Sequence, residues 1–363
     1  MTQLPKTMKA VLMTGYGGFD KLEYREDVAV PVPGRDEVLI RVGAAAINNT
    51  DINTRTGWYS KSVREGTTSE AGKAGFAGAN AADAGWTGKG HNFPLIQGID
   101  VCGRIVAGGA GLGEARIGQR VLVEPALREP VGWRPYEALY LGSEVDGGFA
   151  EYVKVPAVHA HAIGSALSDV ELASFPCAYS TAENMIERAG LAAGEAVLVT
   201  GASGGVGSAA VQLARRRGAH VSAITSAGKA DQVRALGAEQ IIDRAIALKD
   251  QASDESFDVV IDIAGGPQWP GLLDALKRGG RYAVSGAIAG PIVSLDLRTL
   301  YLKDLRLIGC TVLERQVFPN LIGYIERGEI RPVLAATYPL KDIVRAQQDF
   351  LAKGFVGKLV LIP

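Results

Sequence analysis

Cysteine is nearly absent: Cys102, Cys177 and Cys310 are the only three in 363 residues. They lie far apart with no Cys-x-x-Cys pair, which excludes a disulfide framework and a four-cysteine zinc site within the chain and suits a reducing cytoplasm. Charge of one sign is also lacking, with 38 Lys and Arg against 39 Asp and Glu. Nothing here forms a basic footprint for nucleic acid or an anionic membrane, so the expected partner is a small molecule. No run of about 18 apolar residues occurs, and the N-terminal Met1-Thr-Gln-Leu-Pro-Lys6 has no apolar core, so neither a membrane span nor a signal peptide is expected. What remains, 47% hydrophobic and 21% charged residues, describes an ordinary soluble globular protein of two or three domains. The 46 glycines cluster in loops and turns without a repeat period.

One stretch organises the chain. The apolar run Ala196–Thr200 reads as a buried parallel strand, Gly201, Gly204, Gly205 and Gly207 follow, and from Ser208 the apolar spacing is helical. Strand, glycine turn and helix together open a dinucleotide fold, because the backbone must approach a pyrophosphate seated on the N–H groups of a helix N-terminus. Ala202, Ser203, Gly204, Gly205 and Val206 are the residues expected to face it. The next strand ends at Thr225-Ser226-Ala227-Gly228-Lys229. An NAD binder places a carboxylate here, about 20 residues past the glycines, for the ribose 2′-OH. None is present; Ser226 and Lys229 suit a 2′-phosphate, which favours NADP(H). Two further strands end in small residues, Ala264-Gly-Gly266 and Ser285-Gly286-Ala287, and such tips flank the ligand in open parallel sheets. Asp262, inside a strand, reads as structural.

The N-terminal part reads as short strands separated by turns, a barrel-like β domain. It carries Asn48-x-x-Asp-x-x-x-Arg-x-Gly-x-Tyr59, Pro94-x-x-x-Gly-x-Asp-x-x-Gly103 and Gly147-Gly-Phe-Ala-Glu-Tyr-Val153, and the chain closes with Gly357-Lys-Leu-Val-Leu361. In this order, with the glycine turn between, these motifs resemble the medium-chain dehydrogenase/reductase superfamily and within it the zinc-independent quinone oxidoreductase branch. The resemblance implies an α/β fold, a Rossmann doubly wound parallel sheet plus a GroES-like β-barrel domain. The divisions it implies are 1–164 for the catalytic domain with an insertion at 60–92, 165–310 for the NADP-binding domain, and 311–363 for a return to the first.

A catalytic zinc in this superfamily takes Cys, His and usually a second Cys. The matching positions are Asn48, Ile99 and Cys177, and one soft ligand cannot hold zinc. No metal is therefore expected. Asn48 is placed by the resemblance beside the nicotinamide and the substrate oxygen, and Asn53 stands where related quinone reductases often carry a tyrosine. The proton donor is left open between Tyr59, Tyr179 and water. Thr50 matches the relay hydroxyl of the zinc enzymes, but without the metal it reads as a cap or turn residue. Thr181, Phe355 and Lys358 match family positions that approach the nicotinamide, Phe355 and Lys358 reading equally as closure of the β domain. The stretch 60–92, rich in Gly, Ala, Ser and Lys, reads as a lid, a partner flap or a poorly ordered insertion. The stretch Glu124–Leu141 carries Trp133, Tyr136 and Tyr140, which either line substrate or pack under a loop.

The expectation is thus a cytoplasmic NADPH-dependent reductase of quinones or activated α,β-unsaturated carbonyls. A zinc-independent alcohol dehydrogenase or carbonyl reductase, and a non-catalytic NADPH-binding protein, stand as alternatives. The resemblance further implies a homodimer joined near Ile292 to Leu297.

Overall fold

A computed structural model describes residues 4–363. In the first part, β1 (Thr7–Met13) pairs antiparallel with β2 (Leu22–Ala29), and β3 (Glu37–Ala46) is the spine of a second sheet. Helices α1 (Asn49–Thr56) and α2 (Ser69–Ala74) follow, then β4 (Leu95–Ile96), which adds to the other side of β1. β5 (Cys102–Gly108) and β6 (Arg120–Val123) extend the second sheet, β7 (Ala126–Leu127) and β8 (Leu139–Tyr140) form a separate ribbon, and β9 (Tyr152–Pro156) and β10 (Ala160–Ala162) pair with β3 and β6. Alternate apolar residues of these strands, among them Val38, Ile40, Val42, Ile105, Val121 and Val153, fill one core. This is the GroES-like part.

Ser168 and Glu171 close a reciprocal capping box at α3 (Asp169–Leu172), and α4 (Pro176–Ala189) leads to the second part. There β11 (Ala196–Val199), α5 (Gly205–Arg216), β12 (His220–Thr225), α6 (Ala230–Arg234), β13 (Gln240–Asp243), β14 (Phe257–Asp262), α7 (Trp269–Asp274), β15 (Leu276–Val284), α8 (Leu297–Leu302) and β16 (Arg306–Gly309) follow. The six strands are all parallel in the order β13-β12-β11-β14-β15-β16, the Rossmann order. Val197, Leu198, Val199, Val259, Val260 and Ile261 are fully buried, which is why β11 and β14 read as continuous apolar runs.

From Thr311 the chain does not rejoin the first sheet at once. Phe318, Leu321, Tyr324 and Ile325 of α9 (Val317–Glu326) are buried in the same core as Met185 and Ile186 of α4, and Tyr324 donates to Glu183 at 3.2 Å. Only β17 (Leu334–Pro339) and, after α10 (Ile343–Ala352), β18 (Lys358–Ile362) return, with β18 running parallel to β17 and antiparallel to β3.

The stretch 60–92 is an ordered strap that touches both parts. Thr67 N–H donates to the Ile288 carbonyl at 2.9 Å, beyond the end of β15. On the other side Gly72 packs so closely on α10 that a Cβ would stand 2.4 Å from Leu351, and its carbonyl accepts from buried Arg55 at 2.6 Å.

Candidate active site

The glycine turn brings the C-terminal strand into the cleft. Gly204 caps α5, and a Cβ on Gly205 would meet Lys358 Cδ at 2.8 Å, so only a bare Cα lets that side chain pass. Gly357 N–H fixes the register by donating to the Ser203 carbonyl at 3.0 Å. Lys358 is thereby directed between Asn48 and Asp100, donating to Asn48 Oδ1 at 2.5 Å and Asp100 Oδ2 at 2.8 Å. Asp100, fully buried, also accepts from Asn48 Nδ2 at 2.8 Å and Cys177 N–H at 2.6 Å. A buried carboxylate with two neutral donors and an ammonium is well compensated.

Asn48 is also the N-cap of α1, and Asp51 at the third position returns the bond by accepting from Asn48 N–H at 2.7 Å. Thr50 is thus free of the capping duty. Tyr59 Oη donates to Thr50 Oγ1 at 3.1 Å, and burial raises the Tyr59 phenol well above its usual value, so it holds its proton. Asn53 Oδ1 accepts from Thr67 Oγ1 at 2.9 Å, which commits the oxygen. Trp86, isolated in sequence, is sandwiched between Tyr59 and Tyr140, with ring centroids 5.7 and 4.2 Å away and planes tilted by 11° and 7°. Tyr179 is elsewhere: its hydroxyl donates to the Arg331 carbonyl at 2.6 Å and accepts from Gln212 of α5, so it is no proton donor at this cleft.

Burial pushes Asp51 up to about 7, against the Asn48 N–H and the Lys358 charge, which pull it down. The unfolded side chain loses its proton near pH 4. Between about pH 4 and 7 the folded chain therefore binds the extra proton, so stability is fully present at the acid end and falls as pH rises, by up to about 1.4 kcal/mol per pH unit. Asp51→Asn is expected to remove that slope, as read by urea denaturation at pH 5.5 and pH 8.

At the adenosine end, β12 ends level with β13, Thr225 opposite Asp243. Thr225 Oγ1 is buried with no hydrogen-bond partner among the described residues, and Ser226 and Lys229 follow it. Lys229 Nζ donates to the Lys353 carbonyl at 2.6 Å, and desolvation with the nearby charge of Arg244 lowers its pKa. Arg244, the residue after β13, and Lys353 were not legible as site residues. Lys353 ends α10 in the left-handed region at φ 53° and donates to Asn49 Oδ1 at 3.0 Å, and desolvation with Lys229 and Lys358 nearby brings it down to about 7. The tips Ala264 and Ser285–Ala287 stand beside the glycine turn on the same edge of the sheet. Ala264 and Gly265 N–H groups donate to Asp262, whose other donors are Thr200 and Tyr282, so Asp262 braces this edge from inside. Thr181 is half-buried on α4, and Phe355 packs on Phe350 with ring centroids 6.0 Å apart.

Comparison with known proteins places this geometry. Residues 73–165 match the alcohol dehydrogenase GroES-like domain, and residues 205–327 match the family described as zinc-binding dehydrogenase. Over 98% of this chain and 99% of its own length, the acryloyl-coenzyme A reductase of Metallosphaera sedula is 30% identical. The crystal structure of a Sinorhizobium meliloti 1021 protein, provisionally named an alcohol dehydrogenase, covers all of this chain and 98% of its own, with 46% identity and a TM-score of 0.87. The chain belongs to the medium-chain dehydrogenase/reductase superfamily. It is an oxidoreductase. Among other superfamily members, the quinone oxidoreductase of Lama guanicoe is 28% identical over 98% of both chains. The 2-octenoyl-CoA carboxylase reductase CinF, solved with NADP and 2-octenoyl-CoA, is 26% identical over 99% of this chain and 88% of its own, with a TM-score of 0.82.

A catalytic zinc, as some superfamily members bind, does not fit the donors here. The segment matched to the zinc-binding family, 205–327, contains none of the three ligand positions. Ile99 is apolar, and Asn48 is engaged by an ammonium, a group that repels a metal ion. Burial holds the Cys177 thiol protonated. A pyridine dinucleotide does fit: the turn exposes the α5 N-terminus, and the orphaned Thr225 hydroxyl stands beside two cations at the tip where a 2′-substituent is read.

Proposed function

We propose that the protein is a metal-independent, NADPH-dependent reductase of quinones or activated α,β-unsaturated carbonyls. The Lys358 ammonium between Asn48 and Asp100 carries the reading, because it puts a positive charge and two hydrogen-bonding side chains where zinc enzymes need soft ligands. The quinone oxidoreductase and unsaturated acyl-CoA reductase relatives agree with it. Bound NADPH supplies hydride from its nicotinamide. The protein's part is binding, orientation, exclusion of water and proton supply. Ala202 to Val206 offer backbone N–H groups to a pyrophosphate; Ser226, Lys229 and Arg244 meet a 2′-phosphate. Thr181, Ala264, Ser285, Gly286, Ala287 and Phe355 line the way to the nicotinamide. Asn53, its oxygen held by Thr67, presents N–H to the substrate oxygen. Tyr59 keeps a proton on Oη and passes its hydrogen bond to Thr50, whose own hydroxyl then points to substrate. The strap covers this end and limits water.

Cofactor choice tests the adenosine end. Lys229→Ala and Arg244→Ala are each expected to raise the KM for NADPH by about tenfold, the scale of one charge-assisted phosphate contact, and to leave that for NADH unchanged. Equal effects on both cofactors would remove the 2′-phosphate assignment.

No helix among the described residues is long and apolar enough to cross a membrane, and all three cysteines are free and buried. For quaternary structure we read a homodimer through the outer edge of the parallel sheet, where Ile292, Leu297, Tyr301 and Leu302 are more than half exposed. Scattering in solution at micromolar concentration gives the mass that decides it.

A further inference from the structure

A cleft of about 650 Å³ has Trp86, Leu95, Val131, Leu139, Tyr140 and Val312 among its walls. Two of its borders are borders of the reaction site as well. Trp86 and Tyr140 are the rings stacked behind Tyr59. Val312 follows β16, whose end at Gly309 pairs with Val284, the residue before the Ser285–Ala287 tip. The cleft therefore adjoins the proposed proton donor on one side and the cofactor edge of the parallel sheet on the other.

Its charged side chains select no ion. Two cations, Lys89 and Arg134, stand with two anions, Glu137 and Glu144, so the lining carries no net charge. Arg134 pairs with Glu137 at 2.7 Å, and Glu144 accepts from the N–H groups of Tyr140 at 3.0 Å and Thr87 at 3.3 Å. His91 is hydrogen-bonded to Tyr16 Oη at 2.7 Å and Ser143 Oγ at 3.1 Å, and burial lowers its pKa, so the ring is neutral at pH 7. What is left is aliphatic and aromatic surface, in a volume ordinary for a small-molecule site. Tyr136 marks the mouth. It is 76% exposed, and its backbone lies in the left-handed region at φ 59°, where a bulky residue is uncommon. A strained backbone that presents a bare ring beside an apolar cleft serves a ligand better than it serves the fold.

We propose that this cleft binds the uncharged apolar tail of the substrate, with the reducible bond at Asn53 and Tyr59 and the tail running past Trp86 toward Tyr136. The assignment rests on the reductase reading above and narrows it from electrophiles in general to lipophilic ones. It also divides the aromatics of the stretch 124–141: Tyr136 and Tyr140 line the tail site, whereas Trp133 lies outside it, packed on His159 with ring centroids 5.4 Å apart.

The test is a chain-length series, trans-3-alken-2-ones of five to twelve carbons with NADPH. We expect kcat/KM to rise about two- to fourfold per added methylene, the upper figure being full transfer of one CH2 from water, and to level off once the chain outgrows the cleft. Val131→Trp and Val312→Trp fill the cleft from two different elements, and either should flatten the rise. The slope is a ratio within one preparation, so it does not depend on how much of a variant is folded. A carboxylate in place of the terminal methyl of the longest ketone should cost about tenfold or more, because that charge would lose its water beside Glu137 and Glu144. Binding is read apart from turnover by isothermal titration of the enzyme and NADP+ with saturated 2-alkanones of the same lengths, whose Kd should follow the same slope. A slope in binding that the filling variants flatten, with no turnover of any enone, would sustain the tail site and sink the reductase reading. Turnover independent of chain length, a slope that both filling variants keep, or a carboxylate tail accepted as readily as a methyl one would overturn the tail site and leave the reductase reading standing. No slope in binding together with no turnover would overturn the tail site as well.

Discussion

Replacing Lys358 with methionine is expected to destabilise the fold by about 3–5 kcal/mol, the cost of leaving a buried charge without its partner. Lys358 is 3% exposed and Asp100 fully buried, so no water can stand in for the ammonium. Asp100 would keep Asn48 Nδ2 and Cys177 N–H but lose its counter-charge, and Asn48 Oδ1 would lose a donor. The substitution also frees the stem packed on Gly205, loosening β18 where it crosses the glycine turn. Removing both charges in Lys358→Met/Asp100→Asn should recover part of the loss, because a neutral amide is much cheaper to bury than a carboxylate. Urea denaturation of the two variants at pH 7 reads both numbers from the midpoint at constant slope. A single variant within about 1 kcal/mol of the parent would mean that the pair is solvated and organises nothing.

The second large effect is kinetic. Tyr59→Phe removes the hydroxyl that donates to Thr50 and is expected to lower kcat by about a hundredfold, the low end of what a positioned proton donor supplies. The KM for NADPH should hold, since Tyr59 faces the strap and α1 and not the glycine turn. Thr50→Val is expected to cost a similar factor, and Tyr59→Phe/Thr50→Val little more than either alone, because two members of one chain act as a unit. Full additivity would show two independent roles. An unchanged kcat in Tyr59→Phe would leave the proton to water.

What was legible in the sequence is what is local. The strand, glycine turn and helix around Gly204 declare themselves within a short run, and the missing carboxylate at Ser226 needs only the end of one strand. The capping box at Ser168 and Glu171 is readable for the same reason. Lys358 matched a family position, but its bonds to Asn48 and Asp100 join residues 310 and 258 positions apart, which no local pattern encodes. Arg244 is invisible until the register of β12 and β13 sets it beside Thr225. The strap is the clearest shortfall. Its composition resembles a disordered insertion because its order comes from elsewhere: a backbone bond from Thr67 to Ile288, a glycine pressed on Leu351, and Trp86 held between two tyrosines. A single tryptophan in a polar stretch was the one signal, and its partners lie outside that stretch. Thr50, read from the sequence as a cap, is displaced from that task by Asn48 and Asp51, and its hydroxyl accepts from Tyr59 instead.

The most direct test of the central claim is NADPH oxidation, with NADH in parallel, by chelator-treated and dialysed protein against a panel of quinones, enones and simple aldehydes. The expected result is turnover of quinones or enones with NADPH preferred and no change on adding zinc. Reaction confined to aldehydes and dependent on restored zinc would contradict both the donor-set reading at Asn48, Ile99 and Cys177 and the proposed reaction.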